Sequence, residues 1–395
     1  MKKQPRKFLG GGTRSVFILS LVFAGMAGLL FYKLASLTNG ISGSELRTFQ
    51  DSAGWRSILT NPLFAPLTVI ERLLRYLPFF GTWTLRFPVA LYALASLAMT
   101  YAALKRMHGP RTALFGVILL GTSAFFLHVG RSASYDVLYL AAIPATMLAY
   151  RCLADHRDDD RFYGVRLIIH GALLYVPGML WLVLSNVAFQ HKDILSKWRQ
   201  MTLLRRYGFA LLIVLMVSPL ATAFVRDTSL IQTWLGLPEV FDGPARVLLE
   251  IVMVPVHLLL SGQHDPGLWL GRLPVLNALT AIVFLAGMYF YGRHWRAQGS
   301  RLLLCYAVVC TVLIALNGPV RFSVVVPIAL IVAAAGMTYV LHEWFAIFPR
   351  NTLARGIGIA IVIVTLCVSA MYESRHYFIA WPHSNETRQT FTHHL

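Results

Sequence analysis

The chain has 395 residues, with 35 Lys and Arg against 17 Asp and Glu, so its formal net charge is +18. Only 13% of the residues are charged and 57% are hydrophobic. A soluble domain has about 25% charged residues, and a disordered chain has low hydrophobicity, so both classes are excluded. Nucleic-acid binding would explain the basic excess but not the apolar content. We therefore expect an integral membrane protein.

The first apolar run, Ser15–Leu37, follows the basic segment Met1–Arg14. The run is too long for the core of a signal peptide and lacks a small-residue cleavage site, so it predicts a retained membrane helix. The basic flank predicts a cytoplasmic N-terminus. Nine further apolar runs predict membrane helices: Trp83–Leu104, Thr112–Val129, Val137–Leu153, Val165–Phe189, Tyr207–Val225, Pro274–Tyr291, Leu302–Leu316, Phe322–Leu341 and Gly356–Tyr372.

The run Val165–Phe189 is ambiguous, because one helix would reverse the orientation of everything after it and two short helices would not. Two short helices place ten Lys and Arg on the inner side, in segments of 40 residues in total, and six on the outer side, in segments of 75 residues. Lys and Arg concentrate on the cytoplasmic side, and Pro177-Gly178 is a natural break. We therefore predict eleven membrane helices and an outer C-terminus.

Two long segments then lie on the outer face, 38–82 and 226–272. Within the first, Pro62–Tyr76 predicts an amphipathic helix in the interface plane. Its predicted apolar side carries Leu63, Leu67, Ile70 and Leu74, and its predicted polar side carries Glu71, Arg72 and Arg75. Within the second, Ala245–Leu260 predicts another interfacial helix, with a short helix inserted into the membrane as the alternative.

The predicted fold is therefore an all-α integral membrane bundle without a separate soluble domain. Residues 1–225 form an N-terminal membrane module that includes the outer loop 38–82. Residues 226–272 form the second outer loop, residues 273–372 the C-terminal membrane helices and residues 373–395 a short outer tail.

Six of the 17 acidic residues fall on the inner side and eleven at or beyond the outer face, with none at the middle of a predicted helix. A proton-coupled transporter carries ionisable groups there, so this distribution counts against that class. The cluster Asp158–Asp160 has basic neighbours and is interpreted as a solvated charge run rather than a metal site. His257 and His264 have no carboxylate or further histidine at ligand spacing, and the four cysteines lie in apolar runs. No metal or other cofactor is expected.

Two carboxylates stand at the outer ends of predicted helices. Glu45 lies just beyond the first helix, and Asp136 lies in the turn between the third and fourth. A poorly hydrated carboxylate close to lipid headgroups can act as a base. The alternative is a simple ion pair with Arg47 or Arg131. Position alone leaves both alternatives open for Glu45 and Asp136.

Four arginines are predicted on the same outer side as these two carboxylates: Arg131, Arg246, Arg272 and Arg321. A guanidinium group binds phosphate in a bidentate manner, so these side chains are candidates for holding a lipid phosphate. The alternative is that they extend to ordinary headgroups. Arg272 and Arg321 are the stronger candidates, since Arg321 opens a predicted membrane helix, where an unpartnered charge is costly.

Taken together, these motifs resemble the GT-C-type membrane glycosyltransferases, in particular the protein O-mannosyltransferases and the aminoarabinose transferases of lipid A. The resemblance covers nearly the whole chain. It rests on the first-loop Glu45, Asn61-Pro62-Leu63, Leu85-Arg86-Phe87-Pro88, Arg131-x4-Asp136, Leu270-Gly271-Arg272-Leu273-Pro274, Gly287 and Arg321-x5-Pro327.

The resemblance implies an inverting, metal-independent transferase on the outer face of the cytoplasmic membrane, with a polyprenyl-phosphate sugar as donor and a lipid, glycan or protein as acceptor. It implies that Glu45 is the first-loop catalytic carboxylate and that Asp136, with Arg131, shapes the site. On this resemblance we predict Glu45 and Asp136 as catalytic residues. Many members have an Asp-Glu pair in the first loop, whereas this chain has Ser44-Glu45. If the acceptor is a phosphate, Glu45 only orients it.

Two other classes stay open at this stage. A transporter or flippase for a lipid-linked or anionic substrate would move its substrate without forming a covalent product. A membrane polymerase or ligase of polysaccharides would use a pyrophosphate-linked donor. The Trp-Trp-Asp-Tyr-Gly signature of oligosaccharyltransferases does not occur in the sequence.

Overall fold

The computed structural model describes residues 12–38, 40–78, 80–155, 160–262 and 265–393, and these residues form an all-α protein. One isolated antiparallel bridge joins Ile41 to His393. The helices are α1 (Gly12–Phe31), α2 (Gly43–Asp51), α3 (Trp55–Thr60), α4 (Ala65–Leu74), α5 (Thr82–Met107), α6 (Pro110–Thr122), α7 (Ala124–Arg131), α8 (Asp136–Asp155), α9 (Asp160–Leu173), α10 (Leu180–Gln200), α11 (Leu203–Arg226), α12 (Ser229–Trp234), α13 (Pro244–Leu259), α14 (Ala278–Arg293), α15 (Gln298–Ala315), α16 (Val326–Ile347), α17 (Thr352–Arg375), α18 (Trp381–His383) and α19 (Asn385–Thr390).

Six of the helical segments in the described ranges are long and apolar enough to cross a membrane, and a bent pair of helices raises this number to seven. Two shorter apolar helices, Val16–Phe31 and Ala278–Arg293, add to them. The predicted all-α, multi-pass membrane fold is therefore confirmed. The predicted number of eleven spans is not confirmed by helix length and composition.

The third predicted helix is broken at Ser123, where the hydropathy pattern shows a single run. Helices α6 and α7 meet there at an angle of 66°. Ser123 has an extended backbone, and its hydroxyl accepts a hydrogen bond from the N–H of Phe126. The N–H of Ala124 donates to Glu373 Oε2 at 2.9 Å. The run predicted as one membrane helix is therefore a bent pair of helices, because these two acceptors cap a new helix N-terminus inside an apolar stretch.

The run Val165–Phe189 is divided between α9 and α10, so the predicted break is confirmed. Gly178 lies in the turn with a positive φ of 76° and donates its N–H to the carbonyl of Trp234 at 2.8 Å. A residue with a side chain would be strained in this conformation. The predicted return to the same membrane side stays a prediction.

The centre of the bundle is formed by α8 and α16, which are mostly buried, whereas α11 is the most exposed of the long helices. Helix α16 lies directly against α14 through two glycines. A Cβ atom at Gly287 would overlap the carbonyl oxygen of Val332, and one at Gly336 would overlap that of Val283. Small residues allow helices to approach this closely, and this contact makes α16 a rigid support for the residues that precede it.

Helix α4 was predicted to carry Glu71 on its polar side, and that assignment is wrong. Leu67, Thr68 and Glu71 are buried on the side that faces the protein, whereas Ile70 is exposed. The reason is that α4 packs on the beginning of α5, and Glu71 lies one turn beyond Leu67, on the same helix face. Whether α4 and α13 lie in the membrane interface stays a prediction.

Candidate active site

Glu45 is fully buried, and both of its carboxylate oxygens are engaged. It is the third residue of α2, where it forms a capping box with Ser42: the Ser42 N–H donates to Oε2 at 2.9 Å, and the Ser42 hydroxyl accepts from the Glu45 N–H. Arg86 of α5 donates Nε to Oε1 at 2.7 Å and Nη2 to Oε2 at 2.9 Å. The N–H of Ala133 donates to Oε1 at 2.9 Å. Glu45 therefore joins α2, α5 and the turn before Asp136.

Arg86 extends this network to the end of the first helical segment. Its Nη1 donates to the carbonyl of Leu34 at 3.1 Å, and its Nη2 donates to Thr38 Oγ1 at 3.0 Å and to the carbonyl of Gly40 at 3.1 Å. Arg86 entered the sequence interpretation only as part of a short motif. The signal for its role is an arginine close to the N-terminus of a membrane helix, where a charge requires a partner.

Asp136 begins α8, is 7% exposed, and faces a small polar pocket. The hydroxyl of Ser134 donates to its Oδ2 at 3.2 Å, and the hydroxyl of Ser323 donates to its Oδ1 at 3.2 Å. Because the Ala133 N–H is bound to Glu45, the two predicted catalytic carboxylates lie on either side of one turn. Only Asp136 lines the pocket.

The pocket contains three charged side chains, those of Asp136, Asp265 and Arg321. Arg321 is exposed and directly precedes the short 3-10 helix Phe322–Val324, which leads into α16. The other lining residues are Phe125, Leu268, Trp269, Val275, Phe322 and Ser323. In such a pocket the guanidinium can bind an anion, and a carboxylate beside it can accept a proton.

The other predicted arginines lie outside this pocket. Arg131 is buried, donates Nε to the Tyr377 hydroxyl at 3.0 Å and Nη1 to the carbonyl of Leu30 at 3.1 Å, and thereby caps the C-terminus of α1. Arg246 forms an exposed ion pair with Asp242 at 3.2 Å. Arg272 is exposed in the turn after Gly271. Substrate binding by these three arginines stays a prediction.

Asp265 was not singled out in the sequence, where it was one of eleven acidic residues assigned to the outer side. Its Oδ1 accepts the N–H of Gly267 at 3.0 Å, and its carbonyl accepts the N–H groups of Leu268 and Trp269. This turn carries Trp269 and Asp265 into the pocket together. No periodic pattern in the sequence indicates it, since the segment is a loop.

Glu71 is a second acidic residue that the sequence interpretation missed. It is 1% exposed, and neither carboxylate oxygen has a hydrogen-bond partner. Burial raises the pKa of Glu71 well above its usual range, and the nearby Ser52 hydroxyl and Arg75 guanidinium oppose this increase only partly. Burial disfavours the charged form of a carboxyl group, so Glu71 holds its proton at higher pH than usual.

An apolar groove lies next to the polar pocket. It runs between α13, α14, α15 and α16 and is lined, among others, by Val254, Phe284, Ala307 and Ile328. Val325 lies in its wall, two residues after the pocket residue Ser323. The segment Phe322–Val325 therefore contributes to both the apolar groove and the charged pocket.

Metal ligation has no evident site in the described ranges, where no group of three or more His, Cys, Asp or Glu residues is arranged to hold an ion. His257 Nδ1 lies 2.7 Å from the carbonyl oxygen of Ser261. His264, Asp158 and Asp159 lie outside the described residues. The expectation of a metal-independent reaction stays a prediction.

A family model described as "Dolichyl-phosphate-mannose-protein mannosyltransferase" matches residues 67–223. No curated protein matches the chain.

Solved structures match over nearly the whole chain. ArnT from Cupriavidus metallidurans in the apo state is 14% identical with a TM-score of 0.61, and the match covers 95% of this chain and 78% of ArnT. The same protein bound to undecaprenyl phosphate has a TM-score of 0.60, with the same identity and coverage.

The archaeal oligosaccharyltransferase AglB from Archaeoglobus fulgidus, in complex with an inhibitory peptide and a dolichol-phosphate, is 13% identical with a TM-score of 0.53. This match covers 95% of this chain and 56% of AglB. At these identities the structural matches establish the fold. The resemblance found in the sequence is thereby confirmed: the chain has the GT-C fold, residues 67–223 match a mannosyltransferase family, and together these findings indicate a membrane glycosyltransferase.

Proposed function

We propose that this protein is an inverting glycosyltransferase that moves a sugar from a polyprenyl-phosphate donor to an acceptor on the outer face of the cytoplasmic membrane. The observation that carries the proposal is that one short segment, Phe322–Val325, lines both the apolar groove and the charged pocket. A polyprenyl phosphate has the matching shape, a long apolar chain that ends in an anion. The ArnT structure with undecaprenyl phosphate and the AglB structure with a dolichol-phosphate support this donor class.

The groove would take the part of the polyprenyl chain next to the phosphate. Its lining on α15 extends from Ser300 to Thr311, about 16 Å at the rise of an α-helix. The remainder of the polyprenyl chain would stay in the lipid bilayer. Moving the first part from lipid into the groove carries no hydrophobic cost, because both surroundings are apolar. Arg321 would bind the phosphate at the end of the groove, because its guanidinium is exposed in the pocket and offers planar, bidentate donors.

In the proposed reaction, the acceptor oxygen attacks the anomeric carbon as the bond between that carbon and the phosphate oxygen breaks. The leaving phosphate keeps the electron pair of that bond, and Arg321 stabilises its increasing negative charge. The acceptor hydroxyl loses its proton to the carboxylate of Asp136. A single displacement from the opposite side inverts the configuration at the anomeric carbon.

The two predicted catalytic carboxylates receive different roles in this proposal. Glu45 accepts four hydrogen bonds and is fully buried, which supports a positioning role through the N–H of Ala133. Asp136 lines the pocket beside Arg321, which supports it as the base. If the acceptor is a phosphate, proton removal is unnecessary and Asp136 would orient the acceptor.

The proposed orientation rests on the charge distribution of the sequence. Lys and Arg concentrate in the segments assigned to the cytoplasm, and the same topology puts the turn with Asp136 and the loop with Arg321 on the outer side. A cysteine introduced at the exposed residue Ser229 tests it in sealed, right-side-out vesicles. An impermeant maleimide should label that cysteine without permeabilisation, and protection of the cysteine until lysis would contradict the proposed orientation.

The activity is tested with the full chain reconstituted in liposomes. Lipids that co-purify with the protein are identified by mass spectrometry to find the donor, and undecaprenyl phosphate mannose serves as the first probe. Release of undecaprenyl phosphate, together with a new glycosidic bond whose anomeric configuration is opposite to that of the donor, would support the proposal. Movement of the intact lipid across sealed vesicles without a covalent product would instead support a flippase.

A further inference from the structure

A carboxylate and a tyrosine hydroxyl form an exposed pair close to the proposed site. Asp51 is the last residue of α2 and is exposed, and its Oδ2 accepts the hydroxyl of Tyr135 at 2.6 Å. A negative charge at the C-terminus of a helix is opposed by the helix dipole, so Asp51 is not explained by the stability of α2. A carboxylate has about four acceptor positions, and binding one phenol leaves capacity for further donors.

The ring of Tyr135 is held by Phe64. The two rings stack with centroids 4.0 Å apart and planes 7° apart. Phe64 adopts a left-handed backbone, with φ 64° and ψ 14°, directly before α4. This backbone conformation is unfavourable for a bulky residue and persists only where the surrounding structure enforces it. One such constraint is the hydrogen bond from the Phe64 N–H to the carbonyl of Tyr175, at 2.7 Å. Strain of this kind is common where a ligand is clamped.

A series of side-chain contacts connects this pair to the charged pocket. Phe64 also meets Tyr139 edge-on at 6.2 Å, and the hydroxyl of Tyr139 donates to the carbonyl of Pro319 at 3.0 Å. Pro319 lies two residues before Arg321, and Tyr135 directly precedes Asp136. The Asp51–Tyr135 pair therefore lies at one end of a continuous line of contacts whose other end is Arg321.

We propose that Asp51, Tyr135 and Phe64 form a subsite for a pyranose ring. A sugar combines hydroxyl groups around its rim with an apolar C–H face. Asp51 accepts hydrogen bonds from neighbouring hydroxyls, and the aromatic pair supplies a flat apolar surface with a polar edge. The inference rests on the proposed glycosyltransferase function and deepens it, because it identifies which residues recognise a sugar. The sugar belongs either to the acceptor or to the donor.

Direct binding is measured by saturation-transfer NMR on the full chain in lipid nanodiscs without maltoside detergent. The probes are the methyl α-pyranosides of mannose, glucose, galactose and N-acetylglucosamine. At least one probe should receive saturation from the wild-type protein. Asp51→Asn should weaken its binding about tenfold, the loss expected for a hydrogen bond to a charged group. Glu239→Gln removes another exposed carboxylate in an outer-side segment and is the matched control.

Kinetics then distinguish the two sources of the sugar. If the ring belongs to the donor, Asp51→Asn and Tyr135→Phe raise KM for donor hydrolysis by water. If it belongs to the acceptor, both variants hydrolyse the donor normally and raise only the KM of the acceptor. Thermal unfolding of each variant checks that the fold is retained.

The inference is overturned if no probe binds the wild-type protein, or if Asp51→Asn binds the probes as well as the wild type does. Loss of kcat without a change in either KM would also overturn it, since that result indicates a structural role. Failure of the proposed function is a separate outcome, in which the wild-type protein releases no sugar from the donor.

Discussion

Glu45 and Arg86 form a buried ion pair in which two guanidinium nitrogens bind two carboxylate oxygens, at 2.7 and 2.9 Å. The side chains are 0% and 4% exposed. The pair joins α2 to the N-terminal part of α5 and, through Ala133, to the turn that carries Asp136. Removing one partner would leave the other charge buried without compensation, which is far more costly than losing a surface pair.

Glu45→Gln should therefore destabilise the protein by about 3 to 5 kcal/mol, and turnover should fall because the turn before Asp136 loses its anchor. Urea-dependent unfolding in mixed micelles and a transfer assay on the same samples measure both effects. The double variant Glu45→Gln with Arg86→Gln should be less destabilised than the sum of the single variants. Strict additivity would show that the two residues do not act as a pair.

Asp136→Asn should preserve stability and reduce turnover by roughly 100- to 10,000-fold, the contribution of a positioned general base. The amide keeps the size of the side chain and still hydrogen-bonds with Ser134 and Ser323. The measurement is kcat with a hydroxyl acceptor, and Asp227→Asn, at an exposed residue just after α11, is the matched control. Wild-type turnover by a well-folded Asp136→Asn variant would contradict the proposed base.

Arg321→Ala should reduce transfer by roughly 100- to 1,000-fold, since the leaving phosphate loses its main cationic partner. Arg321→Lys should recover part of this loss, because it restores the charge but not the bidentate geometry. Arg272→Ala and Arg246→Ala should have smaller effects, because both side chains lie outside the pocket. Transfer at the wild-type rate by Arg321→Ala would exclude Arg321 as the phosphate-binding residue.

Ala307→Phe should fill the apolar groove on α15 and raise KM for a full-length polyprenyl donor. A farnesyl phosphate sugar, whose chain is much shorter, should be affected less. Val308→Phe is the control, because Val308 is the next residue of the same helix and is 55% exposed. Equal effects of the two substitutions on both donors would show that the groove does not hold the polyprenyl chain.

Glu71 should make stability depend on pH in a predictable direction. Its pKa is raised in the folded protein, so the folded state binds the proton more tightly than the unfolded state. The contribution of Glu71 to the free energy of unfolding is greatest below its pKa in the unfolded state, about 4.3. This contribution is lost as the pH rises through the raised pKa of Glu71 in the folded state. Glu71→Gln abolishes this dependence.

The measurement is the midpoint of thermal unfolding for the wild type and Glu71→Gln between pH 4 and pH 8. The variant should become progressively more stable than the wild type as pH rises, and the two should converge near pH 4. A constant difference at every pH, or a variant that is less stable at pH 8, would show that Glu71 is stabilised in its charged form.

The fold class and several details could be predicted from the sequence alone. The apolar runs predicted a multi-pass helical bundle, Pro177-Gly178 predicted the break between α9 and α10, and the short motifs indicated the GT-C fold. These properties are local, since hydropathy over about 20 residues determines whether a helix can cross a membrane. Glu45, Asp136 and Arg321 were found in the same way, as charges at the ends of apolar runs.

The partners of those charges depended on the tertiary structure. Glu45 and Arg86 are 41 residues apart, the Ser323 that binds Asp136 is 187 residues away from it, and Asp265 reaches the pocket from a loop without periodicity. The bend at Ser123 also required a distant partner, the carboxylate of Glu373. Hydropathy averages over one segment and contains no information on which segments pack together. Only the packing of distant segments therefore shows that Glu45 is fully buried and hydrogen-bonded, whereas Asp136 lines a pocket.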